Sequence, residues 1–128
     1  SQEDILASPE QARNSYLGRI VGIPDRVMRG SKGTPLIREL PNGLKVHGNK
    51  LKYGGGTVEL VDPKGHQAGR MEFAKDGGVE NFAVRADFQK QGMGQELMRT
   101  AQKLGFNPTQ GKLRSPDFAR AVHRFLKP

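Results

Sequence analysis

Two glycines, Gly92 and Gly94, stand between an apolar segment and an amphipathic one, and this junction restricts the fold more than any other part of the chain. Residues 79–84 (Val-Glu-Asn-Phe-Ala-Val) read as a strand that becomes apolar on both faces near its end, as a covered strand does. A short polar turn carrying Gln89, Gly92 and Gly94 follows. Leu97, Met98, Ala101 and Leu104 then recur at helical spacing, with Gln95, Glu96, Arg99, Gln102 and Lys103 on the other side. Gly105 stands where a helix C-terminal glycine belongs. The first amides of such a helix have no partner inside it, and the helix dipole favours negative charge there, so a phosphate or pyrophosphate is the natural guest. An ordinary strand-turn-helix connection also uses glycines for sharp turning, and spacing alone does not separate the two readings.

The residues themselves are more specific than their spacing. Val84-Arg85-Ala86-Asp87-Phe88-Gln89-Lys90-Gln91-Gly92-Met93-Gly94 resembles the acetyl-CoA signature of the GNAT family of N-acetyltransferases. Gln89, Gly92 and Gly94 match its core, Asp87 and Phe88 its approach, and Leu97-Met98 the Leu-Leu pair on the helix that follows. Ala86 replaces the usual proline and Lys90 a frequent glycine; neither change removes a needed backbone amide. The resemblance covers residues 57–126 and is sharp over 84–94. It implies an α+β fold with a mixed sheet, in which an antiparallel meander leads into the glycine turn and its helix. Backbone groups of Phe82, Ala83 and Val84 would pair with the pantetheine arm of acetyl-CoA. Amides of Gln89, Lys90, Gln91, Gly92, Met93, Gly94 and Gln95 would hold the pyrophosphate, and the Lys90 ammonium would either add a charge-assisted contact or remain a solvated loop charge.

The remaining segments read as parts of one domain, residues 1–128, with a helical N-terminal segment over 1–30. Residues 1–7 read as a loose end. Ser8-Pro9-Glu10-Gln11 starts a helix with Ala12, Tyr16, Leu17 and Ile20 as its apolar stripe, stopping near Gly22 and Pro24. A short turn over 25–28 and a basic linking loop over 29–35 follow. Residues 36–40 and 44–46 read as strands around Pro41-Asn42-Gly43, a hairpin signal. His47-Gly48-Asn49-Lys50 reads as a second turn, Leu51-Lys52-Tyr53 as a strand fragment, and Gly54-Gly55-Gly56 as a break. From Thr57 the alternation becomes regular, with turns at 62–65 and 76–78 separating three strands. Residues 112–114 read as a brief strand, and Ser115-Pro116-Asp117 as the start of a last helix. Phe118, Val122 and Phe125 line its apolar face, and Arg120, Arg124 and Lys127 its basic edge.

Composition narrows the function classes. The 21 Lys and Arg against 13 Asp and Glu give a formal charge of +8. Such a balance suits a polyphosphate cofactor, nucleic acid or an acidic protein. Aromatics are only 6% of the chain, so no platform for stacking bases is visible. The chain contains no cysteine, which excludes a disulfide framework, a thiolate zinc site and a cysteine nucleophile, and fits a reducing, cytoplasmic compartment. No run is long enough to span a membrane. The three histidines show no metal-ligand spacing.

Acetyl transfer to an amine needs a base for the amine proton and an acid near the sulfur. A chain without cysteine fits direct transfer. Glu80 is the candidate base, directly or through water, with an edge-facing solubilising charge as its competing role; Glu72 on the neighbouring strand is a second candidate. The family often places a tyrosine acid on the last helix, where this chain has His123 or Phe125 depending on alignment. Histidine exchanges protons near neutrality, but Arg120 and Arg124 beside it point to a solvent face. The family's last two strands, which often build the acceptor site, have no counterpart here. Two readings follow: an acetyl-CoA-dependent N-acetyltransferase, or a non-catalytic GNAT-like basic module of a larger protein that binds nucleic acid or a protein partner.

Overall fold

The structure, a computed structural model, describes residues 5–6 and 34–127. It is an α+β fold in which two helices pack against one sheet. The strands are β1 (Ile5–Leu6), β2 (Leu36–Glu39), β3 (Lys45–Lys50), β4 (Gly56–Val61), β5 (Gln67–Phe73) and β6 (Val79–Arg85); the helices are α1 (Met93–Lys103) and α2 (Pro116–Leu126). Strands β2 to β6 form an antiparallel five-strand meander, and β1 lies parallel to β6, giving the order β1-β6-β5-β4-β3-β2. The expected N-terminal helix, the turn over 25–28 and most of the loop over 29–35 lie outside the described residues.

Alternation along the strands sorts the sheet into two faces. Pairing sets Val46 beside Leu60, Val58 beside Met71, and Met71 beside Phe82. Directly opposed residues share a face, so these side chains form one apolar surface. Leu97, Met98 and Ala101 of α1, all fully buried, cover it. Burying one such Leu or Met side chain contributes about 1.5–3 kcal/mol. Phe106, just past α1, stacks on Phe73 with ring centroids 4.0 Å apart. The other face is polar. His47, Glu59 and Arg70 fall in one row, and Asn49, Thr57, Glu72 and Asn81 in the next. There Gln67 donates to Glu59 at 3.1 Å, and Arg70 donates to Asn81 at 3.3 Å.

Turn chemistry explains most boundaries. Asp62 accepts hydrogen bonds from the amides of Lys64 and His66, and Asp76 from that of Gly78, closing the turns that residues 62–65 and 76–78 predict. At the end of α1, Gly105 takes φ +101°; its amide donates to the Gln102 carbonyl and that of Phe106 to the Ala101 carbonyl, both at 3.0 Å. This pair of bonds is the glycine-ended helix stop.

Four local expectations are corrected. Residues 47–50 are not a turn; they continue β3 along the whole of β4. Gly48 is there because a Cβ would lie 3.0 Å from both Ile37 and Leu104, so tertiary packing overrides its turn propensity. The turn comes instead at residues 51–55, replacing the strand fragment expected over 51–53 and taking in the first two glycines of the expected break, while Gly56 already opens β4: Gly54 and Gly55 take φ +103° and +78°, and the Leu51 amide donates to the Gly55 carbonyl. Residues 112–114 are irregular. The loop before them binds β6 through one bond, from the Val79 amide to the Gln110 carbonyl at 2.7 Å. Within the expected loose end, Ile5 and Leu6 pair with Val84 and Arg85.

Two ion-pair centres tie the sheet to its surroundings. Arg38 of β2 donates to Glu96 of α1 at 2.5 Å and to Thr100 at 2.8 Å, and Arg99 donates to Glu96 at 2.6 Å. Arg85 meets Asp62 at 2.9 Å. Burial pushes both carboxyls up, but other contacts outweigh it and hold them below their ordinary values of 3.8 for Asp62 and 4.5 for Glu96. For Asp62 these are hydrogen bonds from the His66 amide and Arg85, and the charge of Arg85. For Glu96 they are hydrogen bonds from Arg38 and Arg99, and their charges. A carboxyl with a depressed folded pKa adds stability above its unfolded value and loses it as pH falls through the folded one. The melting temperature is therefore expected to fall as pH drops below about 4.5. Glu96→Gln should lower it at neutral pH and flatten the acid limb in calorimetric scans; an acid limb as steep as that of the parent would contradict Glu96 as a source.

Candidate anion-binding cleft

The site is built where β6 hands over to α1. A single 3-10 turn, Ala86–Phe88, follows Arg85. Gln89 is extended, Lys90 takes φ +60°, and Gly92 takes φ +78° as the residue before α1. Three side chains strap this path down. Gln89 donates to the Val84 carbonyl at 2.9 Å, Gln91 to the Asp87 carbonyl at 3.0 Å, and Arg85 to both carboxylate oxygens of Asp87 at 2.8 and 3.1 Å. The first bond of the helix runs from the Glu96 amide to the Gly92 carbonyl at 3.1 Å. The amides of Met93, Gly94 and Gln95 thus precede any intrahelical partner, and no described side chain caps them.

These residues open on a cleft of about 530 Å³ between β6, the turn and α2. Phe82, Val84, Phe88 and Met93 give it apolar walls, and Lys90, Arg120, Arg124 and Lys127 give it four cations. Asp117 is its carboxylate and is paired with Arg120. Ser115 caps α2 by accepting from the Phe118 amide at 3.0 Å, and Pro116 occupies its first turn, as the sequence predicts. Phe118 packs against Phe82, with ring centroids 5.6 Å apart. Gln95 donates to the Ala121 carbonyl at 3.2 Å, joining the start of α1 to α2. The two glycines have different uses. A Cβ on Gly92 would meet no atom within 4 Å, so Gly92 is needed for its left-handed backbone. A Cβ on Gly94 would lie 3.2 Å from the Phe82 ring and 3.8 Å from Ala121, so Gly94 lets β6 and α2 close on the helix start.

Of the expected cofactor residues, Phe82, Val84, Gln89, Lys90, Gly92, Met93, Gly94 and Gln95 line the cleft. Ala83 is buried and by alternation faces the other side of the sheet, and Gln91 is exposed outside the lining. His123 lines the cleft, and Phe125 packs half-buried against the core. Glu80 is exposed and absent from the lining; it stands four residues before Val84, roughly 13 Å along the strand. Glu72 pairs across from Asn81 on the polar face and lies 3.6 Å from Arg70. The outer edge of β6 at Val84 and Arg85 carries β1. Sequence reasoning missed Phe88, Asp117 and Ala121 as wall residues and treated Arg120, Arg124 and Lys127 as a solvent edge; their helical spacing is visible, but not that α2 turns them to the α1 N-terminus. Among the described residues no three His, Cys, Asp or Glu come together as a metal site would require, and no described helix is long and apolar enough to cross a membrane.

No family model matches this chain, and neither a curated protein nor a solved structure matches it.

The left-handed backbone at Lys90 costs a residue with a Cβ about 1–2 kcal/mol. Lys90→Gly removes that cost against a smaller entropic loss, so urea denaturation should show a gain of up to about 1 kcal/mol. A loss would contradict the turn geometry.

Proposed function

We propose that the cleft binds acetyl-CoA and that the chain is an N-acetyltransferase of the GNAT type, passing acetyl directly to an amine. The observation that carries the reading is the start of α1, capped by no described side chain, facing a cation-rimmed, apolar-walled cleft at the end of β6. A diphosphate matches the first amides of α1 and the cations, and a pantetheine arm matches the walls formed by Phe82, Val84 and Phe88. Residues 84–94, the part most similar to the family signature, form this turn.

In the reaction the amine nitrogen attacks the thioester carbonyl, the carbon-sulfur bond breaks, the sulfur leaves with a proton, and the nitrogen gives one up. His123 is the proton donor within reach of the cleft. Glu80 would take the amine proton through water, since it stands outside the lining.

A second reading has one specific observation in its favour. The carboxylate lining the cleft, Asp117, is engaged by Arg120, and neither Glu80 nor Glu72 enters it. A module that holds a CoA-like or other phosphate-bearing ligand without turnover needs no base. The +8 charge serves it equally, through an acidic protein or nucleic acid.

Calorimetric titration with acetyl-CoA at low and moderate salt, with ATP as a polyanion control, separates these readings from simple charge attraction. Saturable binding that survives moderate salt and exceeds that of ATP is expected, and thiol release with amine acceptors then distinguishes enzyme from module. Binding equal to ATP that disappears with salt would remove the cofactor site. Gly92→Glu puts a carboxylate at the mouth of the cleft and forces a residue with a Cβ into the left-handed conformation at φ +78°, at about 1–2 kcal/mol; it should abolish binding while the domain stays folded with a lowered melting temperature. Undiminished affinity in this variant would overturn the site.

A further inference from the structure

We propose that Arg85 is the positioning residue of the cleft, holding the turn that presents the first amides of α1 through Asp87 and Phe88. The proposal rests on the reading of this cleft as a CoA site. Arg85 ends β6 and is 3% exposed, yet its guanidinium is aimed at the turn and not into the apolar core. Its Nε and Nη2 donate to the two Asp87 oxygens at 2.8 and 3.1 Å. Its Nη1 donates to the Gln67 carbonyl at 3.2 Å and lies 2.9 Å from Asp62. Its central carbon sits 5.1 Å from the centre of the Phe88 ring, which is a wall of the cleft.

Each partner extends the hold. Asp62 is fixed by the amides of Lys64 and His66, at 2.9 and 2.8 Å, so the guanidinium is anchored to the β4–β5 turn. The Asp87 carbonyl accepts from Gln91, the residue between left-handed Lys90 and Gly92. The path from the β4–β5 turn to the anion-facing amides therefore runs Asp62, Arg85, Asp87, Gln91. Burying a guanidinium is costly, and replacing a buried ion pair by apolar residues is often neutral or stabilising, so stability alone gives little reason for this arrangement. Lysine cannot substitute: one ammonium lacks the planar fork that spans two carboxylates, a carbonyl and a ring face.

The test compares the parent with Arg85→Lys and Asp87→Asn, by 15N relaxation of the amides of residues 86–92 and by calorimetric titration with CoA. In the parent, order parameters of the turn should lie near the rigid value of about 0.85, and in both variants they should fall toward about 0.6 while those of β3 to β5 stay unchanged. CoA affinity should drop about tenfold or more with the displaced turn. Asp87→Asn should do this with little change in melting temperature, because the Asp87 side chain is 45% exposed. Unchanged order parameters, or unchanged affinity with a loosened turn, would overturn the proposal. If Arg85→Lys fails to fold, Asp87→Asn decides by the same two readouts. A parent that does not bind CoA would sink the ligand reading alone, and the order parameters would still decide whether Arg85 fixes the turn.

Discussion

The first amides of a helix must find acceptors, and at α1 no described side chain supplies one. The rest of the cleft follows from that helix start and from the path the chain takes to reach it. To enter α1 directly from β6 the backbone passes through left-handed conformation at Lys90 and again at Gly92. Only the second is a glycine, so the first must be held by its surroundings. Gln89, Gln91, Asp87 and Arg85 supply that hold within a few residues of sequence.

Charge is distributed in keeping with this geometry. Arg38 and Arg99 meet Glu96, Arg70 meets Glu72, and Arg85 meets Asp62 and Asp87, pairs that cancel charge within the fold and leave the basic excess on other residues. Among the described residues Lys90, Arg124 and Lys127 make no ion pair and line the cleft, while Lys50, Lys52, Lys64, Lys75, Lys103, Lys112 and Arg114 make none and lie outside it. Three of the unpaired cations thus stand where the helix dipole already favours an anion. An α2 helix anchored by Phe118 and linked to α1 through Gln95 brings two of those cations, Arg124 and Lys127, to that point.

The sequence made the β6-turn-α1 unit readable because its signals are local: an apolar strand, polar turn residues, a helical stripe and Gly105. The three regular strands and the start of α2 at Ser115 were readable for the same reason. The course of β3 was not. Gly48 and Asn49 carry turn propensity, and only the packing of Ile37 and Leu104 over Gly48 shows why they continue a strand. The pairing of Ile5 and Leu6 with β6 is a contact between distant segments that two residues cannot announce. At the site, the residue types of the turn were legible, but the cations of α2 were not assigned to it. Nor was Gly94's role, which depends on the ring of Phe82 lying beneath it.

The most direct measurement is a 1H-15N correlation spectrum of the protein titrated with CoA at moderate salt. Shifts concentrated at residues 89–95 and along the 120–127 side of α2, saturating with one affinity, are expected if the first amides of α1 and the α2 cations form one anion site. Shifts scattered over lysines remote from the cleft, such as Lys45, Lys52 and Lys75, with the 89–95 amides unmoved, would contradict it.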